Sequence, residues 1–112
     1  MTTQDIEKGK TYAIVSYLTI FGVIIAYFMN NEPENKSDFT SFHIRQSLGL
    51  WLTFFALGYI VGNFNSWYVS SGFYLFFAIL FIYGFGSALA KKANAVPILG
   101  PFYQKLFANL GK

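Results

Sequence analysis

The chain has 112 residues and a net charge of +3; 54% of its residues are hydrophobic and only 12% are charged. Soluble domains carry about twice that charged share, so the composition excludes an ordinary soluble domain and indicates an integral membrane protein. The charge is too small and too scattered for a nucleic-acid-binding surface, and the absence of cysteine excludes a disulfide framework and thiol chemistry.

The first apolar segment runs from Thr11 to Met29 without a charge. A helix needs about 20 apolar residues to cross about 30 Å of hydrocarbon, so we predict a membrane span at about 11–29. Residues 1–10 form a polar lead. No small-x-small cleavage site follows the apolar segment, which favours a retained helix over a signal peptide.

A polar loop follows at 30–38, with Ser37 or Asp38 as N-cap of the next helix. Residues 46–90 then contain no charged side chain and no histidine, a stretch too long for one span and long enough for two. Glycine and asparagine interrupt it at 62–66. We therefore predict spans at about 39–62 and 67–90, joined by a tight turn into an antiparallel hairpin.

The tail differs from the spans. Pro97 and Pro101 bound an extended strip, and Pro101 suits the first turn of a helix. We predict an amphipathic helix at about 101–110, too short to span, which lies in the interface or docks on the bundle. Its apolar face carries Leu99, Phe102, Tyr103, Leu106, Phe107 and Leu110. The predicted fold is thus an all-α membrane protein, one domain over 1–112 with three transmembrane helices and an interfacial helix.

Basic residues predict the orientation. Three spans place the N-terminus and the 62–66 turn on one side, and the 30–38 loop and the tail on the other. The first side carries Lys8 and Lys10. The second carries Lys36, Arg45, Lys91, Lys92, Lys105 and Lys112. Because cytoplasmic segments are enriched in Lys and Arg, we predict a cytoplasmic loop and C-terminus and an external N-terminus.

The strongest candidate for a functional polar cluster is His43, Arg45 and Gln46, which lie near the start of the second span. His43 and Gln46 share a helix face, and Arg45 points away from His43. Two interpretations stand: structural anchoring to carbonyls and lipid headgroups, or a direct functional contact. Since the three-span topology puts this cluster beside the tail, we expect hydrogen bonds from it to carbonyls of residues 95–100.

Enzyme chemistry is not expected. All five carboxylates precede residue 39, which leaves no acid for an intramembrane proton relay in the later spans. One histidine without cysteine cannot form a zinc site alone, and no glycine-rich phosphate loop is present. We predict no catalytic residue, no metal and no cofactor.

Small residues four apart predict where helices pack closely, because lipid supplies no hydrophobic drive between helices. The pairs are Gly58 with Gly62, Gly84 with Ala88 and, in the first predicted span, Gly22 with Ala26. We expect them to close the bundle within one chain rather than to form a dimer face.

The segment Phe42-His43-Ile44-Arg45-Gln46, followed by a span and by Ala95-Val96-Pro97-Ile98-Leu99-Gly100 and Gln104-Lys105-Leu106-Phe107, resembles the small bacterial relatives of the Tic-twenty-type chloroplast protein-import component. The resemblance covers about residues 11–108. It carries over to His43, Arg45 and Gln46, and in the tail to Pro97 and Gly100, beside which Pro101 completes the tail motif. The plastid proteins have four spans, one more than predicted here.

This resemblance implies a non-enzymatic, multi-pass subunit of the bacterial inner membrane that contacts the lipid bilayer and other membrane-protein subunits, in protein translocation or envelope assembly. The alternative is a small-solute or ion transporter or channel that acts as a homo-oligomer, since three helices enclose no channel alone. No nucleic acid is expected as a partner.

Overall fold

The computed structural model describes residues 1–110, and within this range all regular structure is helical. The five helices are α1 (Thr3–Leu18), α2 (Ile20–Asn31), α3 (Asp38–Gly62), α4 (Trp67–Leu89) and α5 (Gly100–Leu106). The prediction of an all-helical chain is confirmed. By length and composition, α3 and α4 are the two described helices able to cross a membrane. A third transmembrane helix is not confirmed.

The first apolar segment, predicted as one helix over 11–29, is divided between α1 and α2. Thr19 has extended backbone (φ −153°, ψ 165°), and its hydroxyl accepts a hydrogen bond from the Gly22 N–H at 3.0 Å. Thr19 is therefore an N-cap in the middle of the apolar segment. The helix also begins earlier than predicted: α1 starts at Thr3, so most of the polar lead is helical.

α1 and α2 form a closed helical hairpin. Gly22 permits the close approach, because a Cβ at this position would lie 2.1 Å from the Val15 carbonyl oxygen. Asp5 near the start of α1 and Asn30 near the end of α2 both hydrogen-bond to Ser37. The N-terminus thus lies at the same end as the 30–38 loop, and its predicted separation from that loop is wrong because the chain reverses at Thr19.

α3 and α4 form the predicted antiparallel hairpin, within one residue of the predicted bounds. Aromatic rings fill the space between them: Phe54 stacks on Phe73 with a centroid distance of 5.5 Å and also contacts Phe77 and Phe81. The α1–α2 hairpin reaches only part of the way along this pair, where the Trp51 indole donates to the Ser16 carbonyl. We call the charged end of the molecule, residues 1–10, 30–46 and 87–99 together with Tyr17, the base, and residues 51–81 of α3 and α4 the outer half.

The tail returns along α3. Lys91 (φ 62°) ends α4 in a left-handed conformation, and the Lys92 N–H donates to the Ser87 carbonyl, as in a Schellman motif. α5 then packs on α3, where a Cβ on Gly49 would lie 2.3 Å from the Tyr103 ring. α5 ends at Leu106, four residues before the predicted end, and turns over 107–110 direct the chain back to α3.

Candidate functional site: a buried polar cluster at the base

Tyr17, His43 and Gln46 form a hydrogen-bonded cluster among α1, α3 and the tail. The Tyr17 hydroxyl lies 2.6 Å from His43 Nδ1 and accepts from Gln46 Nε2 at 2.8 Å. His43 Nε2 lies 2.8 Å from the Lys92 carbonyl oxygen. His43 and Gln46 are fully buried, and Tyr17 is 5% exposed.

The partners assign the proton positions. A carbonyl only accepts, so His43 Nε2 is the donor to Lys92, and Nδ1 of the neutral ring accepts from the Tyr17 hydroxyl. The Tyr17 oxygen in turn accepts from Gln46. Every ring nitrogen and amide group of the cluster has a hydrogen-bond partner within the protein.

Gln46 connects the cluster to the tail backbone. Its Nε2 also donates to the Asn94 carbonyl at 3.2 Å, and its Oε1 accepts from the Val96 N–H at 2.7 Å. The expected contact between cluster and tail is present, but the carbonyls belong to Lys92 and Asn94 rather than to residues 95–100. The reason is that α4 ends at Leu89, so the non-helical backbone begins before the prolines.

Arg45 lies apart from this cluster. Its Nε donates to the Leu110 carbonyl at 3.0 Å, on the side of α3 away from His43. Leu110 also packs against the apolar cluster of Val23, Ala26 and Ile44, so this contact holds the last described turn of the chain against α2 and α3. The predicted grouping of Arg45 with His43 and Gln46 is therefore not a spatial one.

The tail motif surrounds a strained turn. The Leu99 N–H donates to the Pro97 carbonyl at 2.8 Å across Ile98, whose φ is 72°. This is a γ-turn with positive φ, which is costly for a β-branched residue. Gly100 packs on Ala95, because a Cβ on Gly100 would lie 2.7 Å from the Ala95 Cβ. Pro101 occupies the first turn of α5.

The small residues predicted to pack helices together differ in what surrounds them. Gly84 makes room for Tyr17, since a Cβ there would lie 2.7 Å from the ring, and Ala88 is fully buried. Gly58 lies in ordinary contact distance of Phe73. Gly62 differs, because a Cβ there would meet nothing within 4 Å.

Three residues that sequence reasoning did not single out complete the base. The Asp5 carboxylate accepts from the backbone N–H groups of Asp38 and Phe39, both at 3.0 Å, and so caps α3 from another helix. The buried Asn30 accepts from the Ser37 N–H at 2.8 Å. Tyr17 is the third. Asp5 and Tyr17 bind residues 34 and 26 positions away, at Phe39 and His43, so no local spacing marks these two contacts.

Burial raises the pKa of the Tyr103 hydroxyl above its ordinary value of 10.0, and the hydrogen bond to Thr53 partly offsets this effect. The hydroxyl stays protonated at neutral pH and donates to Thr53 Oγ1 at 2.7 Å.

Among residues 1–110, no group of three His, Asp or Glu side chains lies close enough to hold a metal ion. No protein-family model, no curated protein and no solved structure with which the chain was compared matches it.

Proposed function

We propose that this chain is a non-enzymatic integral membrane subunit that assembles with other membrane proteins, as in a protein-translocation or envelope-assembly complex. The observation that carries the proposal is the outer face of α4. Residues at alternating spacings of four and three form one exposed stripe: Tyr68, Gly72, Leu75, Ile79, Ile82 and Gly86. A Cβ on Gly72 or Gly86 would meet nothing within 4 Å.

This spacing is the one by which helices pack against each other, and its glycines allow a second backbone to approach closely. Nothing in residues 1–110 covers the stripe, while the opposite face of α4 packs on α3 through Phe77. The saturated cluster of Tyr17, His43 and Gln46 also favours a structural subunit over an enzyme.

We further propose that only α3 and α4 cross the bilayer, and that α1–α2 is a re-entrant hairpin. α1 is about 24 Å long and α2 about 18 Å, less than the hydrocarbon thickness of about 30 Å. The described basic residues precede residue 46 or follow residue 90, whereas the 62–66 turn has none. Lys112 lies outside the described residues. The positive-inside rule then puts the base, with the N-terminus, in the cytoplasm of a bacterial inner membrane.

Single cysteines test this arrangement cleanly, because the chain has none of its own. In intact cells, cysteines at Thr3 and Lys36 should both be protected from an impermeant thiol reagent, and one at Asn65 should react. Permeabilised cells should label all three. Protection of Lys36 together with labelling of Thr3 would restore three full spans and refute the re-entrant hairpin.

A photoreactive side chain at Ile79 tests assembly in native membranes, with the exposed Phe55 of α3 as the matched position. We expect Ile79 to cross-link a different membrane protein and Phe55 to react with lipid. Cross-links only between copies of this chain would favour the homo-oligomeric transporter instead. Lipid adducts alone at both positions would refute assembly through α4.

A further inference from the structure

α3 and α5 enclose an open apolar groove of about 330 Å³. Its walls include Gly49, Leu52, Ala56, Phe102, Tyr103 and Leu106. The hydroxyls of Thr53 and Tyr103 in the walls bond to each other at 2.7 Å, so they leave little demand for a polar ligand. The interior of the groove suits a hydrocarbon chain.

Arg45 is not among the residues that line the groove, but helix spacing places it just beyond the lining, on the same face of α3. It precedes Gly49 by four residues and Leu52 by seven, so it is on the same face of α3, about one turn nearer the base. Its Nε donates to Leu110, and within residues 1–110 the other guanidinium N–H groups have neither a hydrogen bond nor a carboxylate partner. Asp38, on the same face, is about 10 Å farther along the axis. Within residues 1–110, the half-buried Arg45 is therefore a cation without a carboxylate partner, one turn from the lining of the apolar groove.

The groove also has the depth of one leaflet. From Gly49 to Leu57 the axis of α3 rises about 12 Å, and one leaflet contributes about 15 Å of hydrocarbon. A partner helix, about 10 Å across, does not fit a groove of about 330 Å³. An acyl chain does, and an anionic headgroup at its end would meet Arg45.

We propose that this groove binds one acyl chain of an anionic phospholipid, with the lipid phosphate at the Arg45 guanidinium. Guanidinium groups bind phosphate oxygens through paired, charge-assisted hydrogen bonds. The proposal rests on membrane insertion with the base at the headgroups, part of the proposed function, and not on assembly with a partner.

Native mass spectrometry of the detergent-solubilised protein tests the site, with phosphatidylglycerol as probe and phosphatidylcholine as the uncharged comparison. Arg45→Gln should weaken phosphatidylglycerol binding about fivefold or more, as expected for one basic residue near anionic lipid. Lys36→Gln, at the same end but outside the groove, should change it less than twofold. Ala56→Trp should fill the groove and remove the tightly bound lipid, whereas Ala78→Trp, at an exposed alanine of α4, should retain it.

Equal losses in Arg45→Gln and Lys36→Gln would mean general charge attraction and would overturn the site, as would retained lipid in Ala56→Trp. Because Ala56 is exposed, that variant decides the matter even if Arg45→Gln loosens the tail. A different result would refute membrane insertion itself: the chain would stay dispersed in water without detergent. The comparison of lipid binding among the variants does not give that result, so the two failures can be told apart.

Discussion

The base and the outer half of the α3–α4 hairpin are held together by different forces. At the base, side chains of three helices bind backbone groups of other elements, as Asp5 does at the start of α3 and Gln46 at the tail. In the outer half, α3 and α4 pack through aromatic rings. The ring centroids of Trp51 and Phe81 are 4.6 Å apart, and Phe54 stacks on Phe73.

The backbone explains this difference. The residues between α4 and α5 are not helical, and Asn94 and Val96 there need hydrogen-bond partners that a helix would supply internally. In the outer half the backbone is helical except at the turn, so packing alone suffices between α3 and α4. Substitutions at the base should therefore cost more than comparable ones in the outer half.

The largest effect is expected at Gly22, near the turn of the α1–α2 hairpin, which belongs to neither region and sets the upper limit for both. A side chain there would lie 2.1 Å from the Val15 carbonyl oxygen, a backbone atom that cannot move without opening the α1–α2 hairpin. We expect Gly22→Ala to lower the free energy of unfolding by about 3 kcal/mol, the upper end for overpacking. Denaturation in mixed micelles measures it. Gly72→Ala, in open space on α4, serves as the control and should not destabilise; equal losses would contradict the closed hairpin.

Gln46→Leu compared with Phe54→Leu tests the two regions directly. Gln46→Leu leaves the Val96 N–H and the Asn94 carbonyl without this partner, and we expect a loss of about 2–3 kcal/mol. Phe54→Leu removes part of a ring from a packed site, with an expected loss of about 1 kcal/mol. Unfolding of both variants in the same micelles gives the comparison, and a larger loss at Phe54 would break it.

Asp5→Ala should cost about 1–2 kcal/mol, since it removes the cap that α1 provides to α3. Amide hydrogen exchange at Asp38 and Phe39 should become faster. Asp38→Ala is the matched variant, because that carboxylate is exposed in the first turn of α3. It should cost only about 0.5 kcal/mol, the size of the favourable interaction between this carboxylate and the helix dipole. Slow exchange at Phe39 in Asp5→Ala would show that the cap comes from elsewhere.

The smallest effect is a gain. Ile98 adopts φ 72° while its side chain is 79% exposed, so glycine would remove backbone strain and lose little packing. We expect Ile98→Gly to stabilise the protein by about 1 kcal/mol. The same unfolding measurement checks it, and Ile79→Gly in the middle of α4 should instead destabilise. A loss in both would mean that the γ-turn at Ile98 is not strained.

Residue pattern alone predicted the α3–α4 hairpin well, because an uncharged stretch of this length broken by Gly62 and Asn63 has few other solutions. It also identified His43 and Gln46, since polar side chains in an apolar helix need partners. Those partners were not predictable. Tyr17 and the Lys92 carbonyl are 26 and 49 residues from His43.

The sequence by itself determined the helical class and the two long apolar helices, because these follow from composition and from spacing along a single helix. Tertiary structure decided the rest. Thr19 divides the first apolar segment because its hydroxyl can cap a second helix and because Gly22 lets that helix lie against the first. Two helices joined at Thr19 compete with one continuous helix over the same residues. Which of the two has the lower free energy depends on contacts between distant residues, and the pattern of a single helix does not contain those contacts.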